Sequence, residues 1–521
     1  MSIAISFRAL WVPIIWDSIM LLICLNVCCG FTRCFSKMYK RLFNLILLNS
    51  FGLLALDAAD RPNVLLILSD DHSTPHVGAY RDVNCQRFNI TPHLDALADE
   101  GMRFDRAYTA APQCAPSRTA IFAGRSPVGL SATRFAQPAR SETTLFTDVL
   151  RESGYWVGLA GRHQHLDGKN RDLDHVTDTL VELDVRDRAF TQRFDHFARG
   201  ASTKNEAIHD TDEVVGTILD GVPDDQPFFL YFGFNQPHRR WGDDHEKIDP
   251  SKLVLPPDWP DLPEVRLDYA KYLAEVRDLD IGFGLIENVL EERGLKENTL
   301  VIFMGDNGEA LLRGKGTLAQ RGTHVPLLVR WPGYVKPGTA SDSLVSGVDL
   351  SATILEAACL ETAPGMTGVS FFDELRGKPF AGREMVFAER GWHFGPIGRS
   401  DGFDLSRSIT TRRYLYLYNA TPEKIFSPVD MSQNLGWLTI KQMHEEGTLS
   451  ALHERLYFQN PRPLFELYDL QEDPFQLENL AGKAKVKAVE TKLRMEMDKW
   501  MVRESDFLPL PSHIKQQVNR N

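Results

Sequence analysis

Four short apolar runs each end in residues that can do chemistry. Val64–Leu68 leads to Asp70 and Asp71. Tyr155–Ala160 leads to Arg162, His163 and His165. Phe228–Phe234 leads to Asn235 and His238, and Thr299–Met304 leads to Asp306 and Asn307. Asp70, Asp71, Asp306 and Asn307 offer only oxygen donors. Such a set suits a hard cation, Ca2+ or Mg2+, better than a thiolate-type zinc site. Histidines lie close by in sequence, so composition alone leaves a zinc phosphatase-like site open. In open α/β sheets ligands bind at the carboxyl ends of the strands, so four such endings on one edge would assemble a site. One aspartate after a strand is often only a helix cap; four capable endings together are harder to explain that way.

A fifth feature is Cys114-Ala115-Pro116-Ser117-Arg118. A cysteine at a helix start is usually a small buried hydrophobe. Here the helix N-terminus favours an anion, Pro116 stiffens the first turn, and Arg118 lies one turn on.

These residues need a scaffold, and the chain supplies one. The four runs read as buried parallel strands. Helical stretches run from Thr91-Pro92 to Gly101, over Thr144–Glu152, and over Leu267–Glu292. Val325–Arg330 reads as a further strand. Strands alternating with helices predict an α/β fold with a large, mostly parallel sheet between helices. After about residue 380 the texture changes. Ser408–Asn419 and Phe465–Leu470 read as strands and Lys485–Trp500 as a closing helix, which predicts a smaller C-terminal α+β domain over 381–521 beside a catalytic domain over 61–380. Glu389, Trp392 and His393 sit where that domain begins and could touch a bound ligand, although aromatic clusters are more often core.

Residues 1–60 differ from the body. An apolar run over 10–31 precedes Arg33, Lys37, Lys40 and Arg41, and a second run covers Leu42–Leu56. Met38, the basic pair, the apolar stretch and Ala58-Ala59 read as a signal peptide over 38–59, with the upstream start over-called. A membrane anchor through 10–31 is the alternative. An exported mature protein is therefore expected. The 521 residues carry 58 Lys and Arg against 70 Asp and Glu, a net charge of −12, which argues against nucleic acid as a partner. Of 7 cysteines, four lie in the leader. Cys85, Cys114 and Cys359 cannot form a disulfide framework, though Cys85 and Cys359 could make one pair.

With these residues in view, the chain resembles the formylglycine-dependent sulfatases, which share the alkaline phosphatase-like fold. Cys114-Ala115-Pro116-Ser117-Arg118 is similar to the family signature C-x-P-S-R. Arg61–Asp71, Thr91–Ala98 and Gly305-Asp306-Asn307-Gly308 resemble the opening strand, the following helix and the second metal motif. Leu467-Tyr468-Asp469 with Glu478-Asn479-Leu480 resembles the ending. Within the family, Pro237-His238-Arg239 and the stretch 413–480 are similar to N-sulfoglucosamine sulfohydrolases. One departure is Gly161–Gly168, where Arg162 and His165 stand three apart in place of a Lys and His two apart. His165 is aligned with the family histidine and His163 competes with it.

The resemblance implies that Cys114 is oxidised to formylglycine (3-oxoalanine) by a maturation enzyme. It implies Ca2+, with Mg2+ as the alternative, on Asp70, Asp71, Asp306, Asn307 and residue 114. One hydroxyl of the hydrated aldehyde would attack sulfur. Arg118 and Arg162 would steady that oxygen, and Lys315 the transferring group, with Arg313 and Arg321 as weaker candidates for the lysine's role. His238 and Lys315 would protonate the leaving group, and His165 would take the second hydroxyl's proton so that sulfate is expelled. The implied substrate is a sulfated carbohydrate, with an N-sulfated glucosamine favoured over O-sulfates, phosphonates or phosphate monoesters. Assembly stays open, a homodimer included.

Overall fold

The strand Asn63–Ser69, NVLLILS, is buried at every position. Alternate side chains of a strand face opposite sides. Val64, Leu66 and Leu68 therefore enter one core, and Leu65 and Ile67 another. Only a strand covered on both faces needs an uninterrupted apolar run.

The computed structural model describes residues 61–133, 140, 142–162, 182, 193–199, 205–242, 245–393 and 403–513. The expectations for the leader and for His163 and His165 lie outside the described residues. In chain order the strands are β1 (Asn63–Ser69), β2 (Met102–Phe104), β3 (Ala107–Tyr108), β4 (Trp156–Gly161), β5 (His196–Arg199), β6 (Phe228–Gly233), β7 (Thr299–Gly305), β8 (Leu327–Arg330), β9 (Thr339–Ser341), β10 (Val345–Ser346), β11 (Met385–Trp392), β12 (Phe403–Thr411), β13 (Tyr414–Asn419) and β14 (Phe465–Asp469). Eight of them form one sheet in the order β5-β4-β6-β1-β7-β8-β2-β9. The pairs from β5 to β7 are parallel, while β8 runs antiparallel to both its neighbours. The expected mixed, mostly parallel sheet is thus present.

Helices cover both faces. They include α1 (Pro92–Glu100), α2 (Cys114–Ala123), α3 (Phe146–Glu152), α4 (Pro263–Glu292), α5 (Asp349–Ala357) and α6 (Lys487–Arg503). Leu94 and Leu97 of α1 pack with Phe283 and Ile286 of α4 on the Leu65 face. Ile121 and Phe122 of α2, Phe146 and Leu150 of α3 and Leu350 and Ile354 of α5 fill the Val64 face. Burying a side chain of this size stabilises by about 1.5–3 kcal/mol, so the two cores hold the sheet edge rigid beneath the site.

A second, antiparallel sheet has the order β11-β12-β13-β14. It differs from the expected single strand over Ser408–Asn419. That stretch is a hairpin, which turns at Arg412-Arg413 and pairs Thr410 with Leu415. The turn contains no Gly, Pro or Asn, so it carried no punctuation to read. α6 packs on this sheet, with Trp500 stacked on Phe387 at 5.1 Å. Among the described residues Cys85, Cys114 and Cys359 are all free thiols, so the conceivable Cys85–Cys359 bridge is absent.

Candidate active site

The neighbouring strands β4, β6, β1 and β7 are in register at their carboxyl ends. Gly161 pairs with Gly233, Leu68 with Gly233, and Ser69 with Gly305. The residues that follow each strand therefore meet. Asp70 and Asp71 are consecutive and would point apart in extended chain. Asp71 instead takes φ +64°, and both carboxylates lie in one ligand cluster with Cys114 and His238. The Asp71 amide donates to Asp306 Oδ1 at 3.1 Å, and Asn307 Nδ2 donates to Asp71 Oδ1 at 2.9 Å. Cys114 opens α2 and its thiol donates to Asp70 Oδ1 at 3.1 Å. The ligand atoms of Asp70, Asp71, Cys114 and His238 lie within 4.8 Å of one another.

Cations ring this acidic cluster. Arg118 places Nε 2.8 Å from Asp306 and Nη2 3.1 Å from Asp70, and donates through Nη1 to the Tyr231 hydroxyl. Arg162 Nε sits 2.5 Å from Asp70, and its other arm donates to Asn235. Arg162 is aimed by Gly161, which has φ +77° and whose Cβ would lie 2.1 Å from the Gly233 oxygen. A side chain there would break the turn. Lys315 Nζ bridges Asp71 at 2.9 Å and Asp430 at 2.8 Å. His238 Nε2 stands 3.8 Å from both Asp71 and Asp430. The side chains of Asp70, Asp71 and Asp306 are fully buried, whereas those of His238 and Asp430 are 19% and 33% exposed. The site opens to solvent on that side.

The electrostatics fit a cation site. Burial would raise Asp70, but Arg162, with Arg118 and Lys315, holds it well below the usual carboxylate range. Burial pushes Asp71 up to about 8 against the pull of Lys315, and pushes Asp306 up to about 6 with help from Asp70. Asn307 Oδ1 is buried without a hydrogen-bond partner. An all-oxygen cluster of three carboxylates and one orphaned amide oxygen is what a hard dication would satisfy. The residues therefore fit Ca2+ or Mg2+.

A pH dependence follows. Asp71 and Asp306 keep protons in the folded, cation-free chain that the unfolded chain releases near pH 4. Stability of the stripped protein should therefore fall as pH rises from about 4 toward the folded values, and cation binding should release protons. Calorimetric titration of chelator-treated protein with Ca2+ is expected to show proton release at about pH 6.5 and an affinity that climbs up to the Asp71 value of about 8. An affinity that does not change with pH would exclude this.

Cys114 is not built as a thiolate. Burial and Asp70 push its thiol well above the ordinary value, whereas cysteine nucleophiles sit in electropositive surroundings. Burial, Arg162 and Lys315 bring His238 down to about 3, so it is neutral here.

Nine of the ten expected residues, Asp70, Asp71, Cys114, Arg118, Arg162, His238, Asp306, Asn307 and Lys315, converge on this one edge; His165 lies outside the described residues. Arg313 and Arg321 do not take the lysine's place. Arg313 pairs with Asp258, and Arg321 with Glu309 and Asp258. Of the residues expected to touch a bound ligand from the start of the C-terminal part, Glu389 is fully buried and His393 is 4% exposed. Sequence reasoning missed Asp430, Tyr231 and Tyr272, whose hydroxyl donates to the Asp71 carbonyl at 3.0 Å. Tyr231 could have been found as the hydroxyl-bearing residue in an otherwise apolar strand. Asp430 lies in an irregular stretch with no periodicity.

The family profile "Sulfatase" matches residues 62–360, and "N-sulphoglucosamine sulphohydrolase, C-terminal" matches 308–420. An ulvan-active sulfatase of Formosa agariphila is 25% identical over 498 residues, which span 88% of this chain and 77% of that one. The human N-sulphoglucosamine sulphohydrolase is 27% identical over 485 residues, 86% of this chain and 91% of its own. A solved structure of a protein bound to its substrate D-glucosamine-2-N,6-O-disulfate superposes with a TM-score of 0.63 at 18% identity, covering 86% of this chain and 99% of the other.

Proposed function

The chain belongs to the sulfatase family, and from that membership we propose that it is an exported hydrolase that frees sulfate from a sulfated carbohydrate, with N-sulfated glucosamine as the favoured group. One observation carries the reading. Cys114 lies in the family signature with its thiol 3.1 Å from a buried carboxylate, in surroundings that disfavour a thiolate. A cysteine there is a poor thiolate nucleophile, and oxidation to formylglycine would supply a hydrated aldehyde in its place.

Asp70, Asp71, Asp306, Asn307 and residue 114 would hold Ca2+ or Mg2+, which when bound offsets the charge of the sulfate group. Arg118 and Arg162 lock Asp70 in place and would steady the attacking oxygen beside it. Lys315 presents a cation, held charged by Asp430 and Asp71, to the sulfuryl oxygens. His238 stands on the open side, where a leaving amine or hydroxyl would depart; the charge of a bound sulfate would raise its pKa and let it, or Lys315, deliver a proton to the leaving atom. An amine leaving group needs that proton more than an aryl oxide does. His165 is assigned the last proton transfer.

The C-terminal profile over 308–420 and the human relative support the N-sulfated reading. The ulvan-active relative supports a second one, a different sulfated polysaccharide. Export is proposed from the 38–59 leader; among the described residues no helix is long and apolar enough to cross a membrane. The division at residue 380 is likewise proposed, from the start of the second sheet at Met385.

A panel of defined heparin, chondroitin, carrageenan and ulvan fragments separates the readings, with aryl sulfate and aryl phosphonate as controls. Sulfate released from N-sulfated glucosamine alone is the expected result. Release confined to O-sulfated chains would replace it, and a preference for the aryl phosphonate would overturn the sulfatase assignment.

A further inference from the structure

We infer that Asp430 selects the leaving group: it is a carboxylate at the mouth of the site that accepts hydrogen bonds from donor groups of the sugar bearing the sulfate, and it holds Lys315 in place as it does so. This deepens the carbohydrate reading above and rests on it.

Asp430 reaches the site from the stretch between β13 and the helix Leu435–Glu445, with φ +62°. Its Oδ2 lies 2.8 Å from Lys315 Nζ and 3.8 Å from His238 Nε2. His393, at the end of β11, interacts with the same carboxylate. Lys315 therefore has two carboxylate partners of different kinds. Asp71 is fully buried and belongs to the cation cluster, while a third of the Asp430 side chain remains exposed.

The place of Asp430 restricts what it can touch. An ionised carboxylate is an acceptor only, and like charges repel, so it cannot face the sulfate. It stands beside His238, on the side where the leaving group departs. The groups it can bind there are donors, which means hydroxyl or amine groups of a sugar. An aryl sulfate with no hydroxyl or amine substituent, such as 4-nitrophenyl sulfate, offers none. A site that hydrogen-bonds a donor of its substrate disfavours an analogue lacking it, because the charge-assisted bond to the carboxylate is not made.

The test compares kcat/KM on a sulfated sugar with kcat/KM on an aryl sulfate, for wild type, D430N and D430A. Both substrates are expected to lose activity in the variants, because Lys315 is loosened. The sugar should lose about 10- to 100-fold more than the aryl sulfate. Equal losses would overturn the inference and leave Asp430 as a positioning residue for Lys315. A second measurement needs no variant. Wild-type enzyme is assayed on sulfated sugars in which one donor at a time is replaced by hydrogen. At least one is expected to fall about tenfold, and to fall no further in D430N. Undiminished turnover of every such analogue would also overturn the inference. Failure of the carbohydrate reading shows separately, as a wild-type enzyme that cleaves aryl sulfate and no sulfated sugar.

Discussion

Replacing Cys114 with alanine is expected to lower kcat for sulfate release by about 10^5-fold or more, the scale of losing a covalent nucleophile. Cys114 opens α2 with its Sγ 3.1 Å from Asp70 and 3.8 Å from Asp71. Alanine fits this space and removes only the sulfur, so the fold and the cation ligands supplied by the aspartates should survive. Serine should rescue poorly. Its hydroxyl could be sulfated once, but it lacks the second hydroxyl that lets a hydrated aldehyde expel sulfate. Loss of activity with an unchanged melting temperature and retained Ca2+ binding is the expected pattern for both variants. Mass spectrometry of the wild-type peptide gives the matching result: sulfur and two hydrogens lost and one oxygen gained at residue 114. Full activity in a protein whose residue 114 is wholly an unmodified thiol would end the proposed chemistry.

How much of this was open to reading from sequence depends on how each part is held. β1, β6 and β7 were legible because strands buried on both faces must be continuous apolar runs, and the residues just beyond them could be placed by counting. The order of strands was not legible, since it is set by crossovers rather than by any one run, and the antiparallel β8 looked like its neighbours. Arg118 was read as facing Cys114. In the fold it also bridges Asp70, just past β1, and Asp306, just past β7, residues more than 200 positions apart in the chain, and no spacing rule encodes that. Asp430 was invisible for a related reason. Its partner Lys315 lies 115 positions away, in a turn with no periodicity of its own.

The second large effect concerns Arg118 itself. Its side chain is fully buried, and so are both its carboxylate partners. Methionine would keep much of the length and none of the charge. Removing one member of a buried ion pair leaves the other uncompensated, at a cost of about 3–5 kcal/mol. Arg118→Met is therefore expected to lower the denaturation midpoint clearly in chelator. It should also lower kcat by about 10^2- to 10^3-fold, because a donor beside the reacting oxygen is gone. The cation decides whether Arg118 is only structural. Asp70 and Asp306 would also be cation ligands, so the guanidinium competes with Ca2+ for the same oxygens. Without it the cluster is more negative, and Ca2+ should bind more tightly and recover more stability in the variant than in wild type. A variant that is less stable, slower, and yet tighter for Ca2+ is the expected combination, read by calorimetry and thermal melts with and without the ion. If Ca2+ affinity falls along with stability, the arginine shapes the cluster rather than balancing its charge, and its assignment beside the nucleophile would have to be withdrawn.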